Sequence, residues 1–214
     1  IISSFFCFLA TVYFARVLGA EVLGIYYLIL SVVGWLSLFG TMGVAGGIVK
    51  RISEGTDNGE YVTAGATLMA LFFVLLSAVL FVSRGILDEY IGIPALVPVI
   101  VLLAVGLAGS YVDSVLQGQR LVHIYSLLKP VRRAVRTLLQ VGAVLLGFKI
   151  TGLVAGYAIG GLVAVVLGLF FVSLEVSVPQ RDHFVSIVEY AKYAWLGKLK
   201  SRTFNRADIL ILGA

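Results

Sequence analysis

Lys198, Arg202 and Arg206 recur four residues apart in the stretch "KLKSRTFNRADILILGA", with Asp208 just beyond and an apolar run behind it. In a helix that spacing puts all three cations on one face. The ladder is about 12 Å tall at about 1.5 Å per residue. Rungs about 6 Å apart suit an anion passed from one cation to the next. Arg suits phosphate best, because its planar fork binds two oxygens at once while Lys acts as a point charge. The other reading makes the run a solvated approach to a helix that starts near Ala207. The residues alone leave both open.

A second basic cluster, Lys129, Arg132, Arg133 and Arg136, stands at three- and four-residue spacings ahead of the apolar run Thr137 to Phe148. That run is only about 18 Å long as a helix, well short of a hydrocarbon core of about 30 Å. A spanning helix must therefore include the basic half, and Pro130 suits its first turn. Lys129 and Arg132 read as side chains that snorkel to the anionic leaflet. Arg136 is deeper and belongs to a bundle interior or a water-filled cavity. Asp113 is an acid inside an otherwise apolar span, followed by Gln117 and Arg120 at four and seven residues. An Asp113–Arg120 pair is expected, either structural or a site of ion coupling. His123 and His183 lack metal-ligand spacing and read as surface residues. Cys7 is alone, so no disulfide framework or thiol metal cluster is expected. There is no nucleotide loop, carboxylate pair or Ser/His constellation. We expect no catalytic residue, cofactor or metal, and cations aligned with a membrane face give no reason to invoke nucleic acid.

The elements that hold these residues follow from composition. The 214 residues are 60% hydrophobic and 13% charged, with 24 Gly and a net charge of +5. A soluble domain is about half apolar and a quarter charged. Apolar stretches such as Val62 to Val82 and Ala95 to Val112 approach or exceed the roughly 18 residues of a spanning helix and lack the alternation of an outer-membrane barrel. The predicted fold is all-α: a polytopic membrane bundle of six helices plus the start of a seventh. Hydropathy orders them as Ile1 to Leu18 (truncated), Leu23 to Val49, Val62 to Val82, Pro94 to Gln117, Ser126 to Phe148, Thr151 to Leu174, and a seventh from about Val188. The first bundle is expected over residues 1–185 and the start of a second over 186–214.

Connections after the even helices hold Lys50 and Arg51, then Arg120, Lys129, Arg132, Arg133 and Arg136, then Arg181 and Lys192; those after the odd ones hold Arg16, Arg84 and Lys149. The positive-inside rule then predicts a cytoplasmic N-terminus in a cell membrane. The seventh helix starts in the same direction as the first, so a second bundle would be a parallel repeat. Neither end looks like a natural terminus, and the chain is expected to be part of a longer transporter. Gly152, Gly156, Gly160, Ala164 and Gly168 form a small-residue stripe in the sixth helix, as Gly43 and Gly47 do in the second. Such stripes let a neighbouring backbone come close.

The segment "ARVLGAEVLGIYYLILSVVGWLSLFGTMGVAGGIVKRISEG" (Ala15 to Gly55) resembles the start of polysaccharide-type flippases of the multidrug/oligosaccharidyl-lipid/polysaccharide exporter superfamily. "LQGQRLVHIYSLLKPVRRAVRTLLQVGAVLLGFKITGLVAGYAIG" is similar to that family's fourth-to-sixth helix region, and "RADILILGA" to the opening of its second bundle. The resemblance implies a V-shaped pair of six-helix bundles. Such a protein moves a polyprenyl-pyrophosphate- or dolichyl-phosphate-linked oligosaccharide from the inner to the outer leaflet. It also implies a cavity lined by cations, with Arg202 and Arg206, and less securely Lys198, in that role. The charged first- and second-helix positions of lipid II flippases have no clear counterpart, which favours a capsule, O-antigen or archaeal glycan over a peptidoglycan precursor. Two other readings stand beside this one. A proton- or sodium-coupled multidrug antiporter of the same superfamily would need buried acids, for which Asp113 is the candidate. A membrane-embedded glycan enzyme would need acids, His or a metal at an interface.

Overall fold

In lipid, a backbone N–H or C=O without a partner costs several kcal/mol, so long apolar runs relieved only by small residues close their hydrogen bonds within helices. A computed structural model describes the backbone of residues 2–173 and 177–204 and, within these, the side chains of residues 8–173 and 177–195. The elements are α1 (Ile2–Thr41), α2 (Val44–Glu54), α3 (Asn58–Val82), α4 (Arg84–Ile91), α5 (Leu96–Gly118), α6 (Val122–Leu145), α7 (Ile150–Phe171) and α8 (Arg181–Phe204). Among the described residues all regular structure is helical. Four stretches are long and apolar enough to cross a membrane: Phe8–Thr41, Asn58–Val82, Leu96–Gly118 and Ile150–Phe171. Large apolar side chains such as Phe81, Val82, Leu138 and Phe170 point outward. That suits a bundle whose outer solvent is hydrocarbon. The chain is a multi-pass helical membrane protein.

The predicted order holds, but the count of six helices plus one does not match. The first two predicted helices are the two halves of α1, which breaks at Gly19 (φ 82°, ψ 166°) inside the predicted connection. The predicted second helix, Leu23 to Val49, breaks at Met42 and Gly43 (φ 34° and 82°), which makes α2 a separate element. An added Cβ at Gly43 would collide with the Ala191 carbonyl oxygen. The break thus lets α2 lie directly on the α8 backbone. The short α4 occupies the predicted third-to-fourth connection, and Asp88 Oδ1 ties its end down by accepting the Ala95 N–H at 2.8 Å. Helix α8 starts at Arg181 rather than near Val188 because its first turns are polar and hydropathy does not register them; His183 Nδ1 accepts the Gln180 N–H at 3.0 Å there.

The stripe on α7 does what its spacing predicts. A Cβ at Gly160 would meet Arg136 Cα at 2.7 Å, one at Gly156 would meet Gln140 N at 2.9 Å, and one at Gly152 would meet Ala143 Cβ at 2.8 Å. Gly161 and Gly168 press instead on Val105 and Val112 of α5. Helix α7 therefore sits close to α6 on one side and α5 on the other. On α2, Gly47 stands over Ile187 of α8, with the Ile187 carbonyl oxygen 2.9 Å from an added Cβ. One core cluster, including Ile48, Ile52, Val112, Leu116, Leu128 and Ile187, joins α2, α5, α6 and α8.

The polar ends of alternate helices meet at one end of the bundle. Gln119 Nε2 donates to the Ser173 carbonyl at 2.8 Å, Tyr61 Oη donates to Ser186 Oγ at 3.5 Å, and His183 Nε2 stands 3.7 Å from Asp57 Oδ2. His183 also packs edge-on to the Tyr61 ring at 4.9 Å between centroids, so it is largely covered rather than a free surface residue.

Replacing Gly160 by Val should destabilise the fold by about 1–3 kcal/mol, because the colliding atoms are α6 backbone and cannot rotate away. Gly142 has nothing within 4 Å of an added Cβ. Gly142→Ala should therefore stay within about 1 kcal/mol of the parent. Thermal unfolding in detergent separates the two.

Candidate functional site

Helix α5 carries a polar stripe, Ser110, Asp113, Ser114 and Gln117, at the zero, three, four and seven spacing of one helix face. Helix α6 crosses beside it. Because α6 side chains lean toward their own N-terminus, its cations reach back to the basic end of the bundle. Arg132 meets the α5 stripe. Its Nη2 donates to Asp113 Oδ1 at 2.9 Å and its Nη1 to Oδ2 at 3.3 Å. The guanidinium lies along α5 at Gly109, where an added Cβ would stand in ordinary van der Waals contact with Nη1 at 3.6 Å.

The pair lines a cavity of about 710 Å³ between α2, α5, α6 and α8. Lys50 and Ser53 of α2, Tyr125 of α6 and Tyr190 of α8 complete its polar wall, and Gly46 and Gly106 widen it. Lys50 Nζ contacts Glu54 Oε1 at 2.9 Å, and Arg51 Nη1 donates to Glu54 Oε2 at 3.0 Å. Hydrogen bonds from Lys50 first, and then from Arg51, hold the Glu54 carboxyl below its ordinary range. Lys129 Nζ stands 4.2 Å from the Tyr125 ring centroid, a cation–π contact that also orients a cleft-lining ring. Every cation of the cleft therefore has a contact on which its charge rests, while the hydroxyl and amide groups around it can meet a sugar or a phosphate.

Asp113 does not pair with Arg120. The expected pairing assumed a helix that runs on through residue 120, but α5 ends at Gly118 and Arg120 turns away at φ 62°. Its Nη2 reaches the Ser53 carbonyl at 3.5 Å instead. Arg132, read as a snorkelling side chain, is the partner of Asp113. Arg136 lies one turn deeper and outside the cleft wall, with its guanidinium carbon 4.7 Å from the Tyr157 ring centroid of α7. One turn deeper again, buried Gln140 donates from Nε2 to Tyr26 Oη at 2.8 Å and to the Leu153 carbonyl at 2.7 Å. Lys198 and Arg202 fall one turn apart on the α8 backbone, but their side chains, like the whole of Arg206, lie outside the described residues. Lys50, Ser110, Ser114, Tyr125 and Tyr190 were not singled out from the sequence. The serine spacing around Asp113 was a readable signal; the approach of α2 and α8 was not.

The architecture and cleft define a helical membrane protein with a polar, partly charged cavity inside an apolar bundle. The sequence model of the polysaccharide biosynthesis protein family matches residues 1–214, and the chain belongs to that family. It is 27% identical over 210 residues to a Haloferax volcanii protein named "probable low-salt glycan biosynthesis flippase Agl15", covering 96% of this chain and 44% of that protein. It is 26% identical over 206 residues to the "probable flippase AglR" of the same organism, covering 95% of this chain and 43% of the relative. The chain thus spans less than half the length of these relatives. No solved structure matches it.

An ion pair with 30% and 17% of its side-chain surface exposed lies between the surface and buried regimes. Asp113→Ala and Arg132→Ala should each cost about 1–3 kcal/mol of stability. The double variant should lose less than the sum by about 1 kcal/mol. A double-mutant cycle by thermal or denaturant unfolding in detergent checks this, and purely additive losses would exclude the pair.

Proposed function

We propose that this chain is part of a flippase that moves a polyprenyl- or dolichyl-(pyro)phosphate-linked oligosaccharide from the cytoplasmic to the outer leaflet of the cell membrane. The carrying observation is the cleft at the basic end of an otherwise apolar bundle, with Lys50 and Arg132 beside hydroxyl and amide groups. A charged phosphate and a hydroxyl-rich glycan need that combination to leave water. The printed names of both relatives support the same reading. In it, residues 1–185 hold the first helical bundle, residues 186–214 open the second, and the N-terminus is cytoplasmic. Lys198, Arg202 and Arg206 extend the row of cations along the seventh helix, where an incoming phosphate passes from the cleft toward the opposite leaflet. Arg136 lies deeper on the first-bundle side of that path. The chain acts by binding and conformational exchange, as a transporter rather than an enzyme.

Two experiments on the full-length protein test this. Single cysteines at Ser114, Lys198, Arg202 and Arg206, in a Cys7→Ser background, should react with a membrane-impermeant thiol reagent from the cytoplasmic side. Lipid-linked oligosaccharide should slow that labelling at least about tenfold, the factor expected for a ligand near ten times its Kd. Labelling that the substrate leaves unchanged at all four positions would remove the cleft and the ladder from the pathway. In cells, Arg206→Ala should insert normally yet leave lipid-linked glycan on the cytoplasmic leaflet. Loss of one charge-assisted contact to phosphate is worth about 1.5–3 kcal/mol, so export should fall by about tenfold or more. Normal surface glycan in that variant would count against the ladder.

A further inference from the structure

Arg132 presents to Asp113 the same two-donor edge that it would present to a phosphate, with contacts at 2.9 and 3.3 Å. A pair sealed in a core would be only a strut. This one lines an open cavity, and Arg132 keeps 30% of its side chain exposed. Asp113 also leaves the guanidinium unsaturated, since the buried Arg132 Nε has no partner among the described residues. We propose that Asp113 is an internal counter-anion: it holds the Arg132 fork and yields it to a ligand group that carries more than one negative charge. The proposal rests on the reading of the cleft as a phosphate-receiving site and adds how that site selects and releases its ligand.

The physical case is an exchange. An unpaired guanidinium inside the bundle would carry a large desolvation cost, which Asp113 offsets until a ligand arrives. A chloride or a monocarboxylate offers Arg132 nothing that Asp113 does not already supply, so it gains little by entering. A pyrophosphate brings more charge and more acceptor oxygens, and Lys50, paired with Glu54, lines the same cavity as a second cation. Selectivity is then a difference of affinities set by the resident competitor. The displaced carboxylate stays on the polar face of α5, next to Ser110, Ser114 and Gln117, where water can hydrate it. It is also poised to retake the fork when the ligand leaves. Asp113 thus acts through Arg132 and is a positioning residue.

The test is calorimetric binding of sodium pyrophosphate and of sodium acetate to the purified full-length protein in detergent. The wild type should bind pyrophosphate and not acetate. Asp113→Asn should bind pyrophosphate about tenfold tighter, the lower end of what a charge-assisted competitor withholds. It should also gain measurable acetate binding, and adding Arg132→Gln should abolish both gains. A merely structural pair predicts the opposite, a folded Asp113→Asn protein with unchanged or weaker pyrophosphate affinity, and that result overturns the proposal while leaving the cleft reading intact. Failure of pyrophosphate to bind either protein sinks the cleft reading and the proposal together. If Asp113→Asn does not fold, the wild type decides. With aspartate carboxylates labelled with carbon-13, pyrophosphate should shift the infrared carboxylate band as Asp113 leaves Arg132, and binding without a shift overturns the proposal.

Discussion

Helix α6 packs against the apolar helices α5 and α7 while carrying Lys129, Arg132, Arg133 and Arg136 in its first half. Three of those charges rest on a named contact. Asp113 of α5 takes Arg132, the Tyr157 ring of α7 covers Arg136, and Tyr125 on α6 itself receives Lys129. Close approach makes these contacts possible. The glycine face of α7 brings its backbone against Arg136 and Gln140, which a Cβ at Gly156 or Gly160 would prevent. Where lipid supplies no hydrophobic drive between helices, such packing and the polar contacts it permits hold the bundle together.

The same load opens the interior. Charges brought into a bundle need water, partners or both, and the place where α2, α5, α6 and α8 fail to close is the cleft that holds both members of the Asp113–Arg132 pair. The wall formed by α2 depends on the break at Met42 and Gly43, which turns the chain and presses α2 on the α8 backbone at Ala191 and Ile187. Helix α8 is therefore both a wall of the cleft, through Tyr190, and the carrier of Lys198 and Arg202 further along. A movement of α8 relative to α2 would change the cleft and carry the backbone of Lys198 and Arg202 with it.

Much of the frame was legible in the residues. Four apolar stretches, the order of the helices and the packing role of the α7 glycines follow from hydropathy and from four-residue spacing. The helix count differed where backbone decided it, at Met42–Gly43 and in the short α4, because hydropathy does not detect a break inside an apolar run. The Asp113–Arg120 expectation failed for a related reason. Seven residues are two turns only while a helix continues, and the positive φ of Arg120 marks where it stops.

The sequence by itself determined that this chain lives in a membrane, that one end of its bundle is basic, and that one acid and several cations must share its interior. Hydrophobicity and charge are properties of residues and survive without coordinates. Which cation the acid holds was decided only by tertiary structure. Asp113 and Arg132 lie nineteen residues apart on different helices, and no local spacing relates them; their meeting depends on how closely α5, α6 and α7 pack, and so on where a missing Cβ lets two backbones touch.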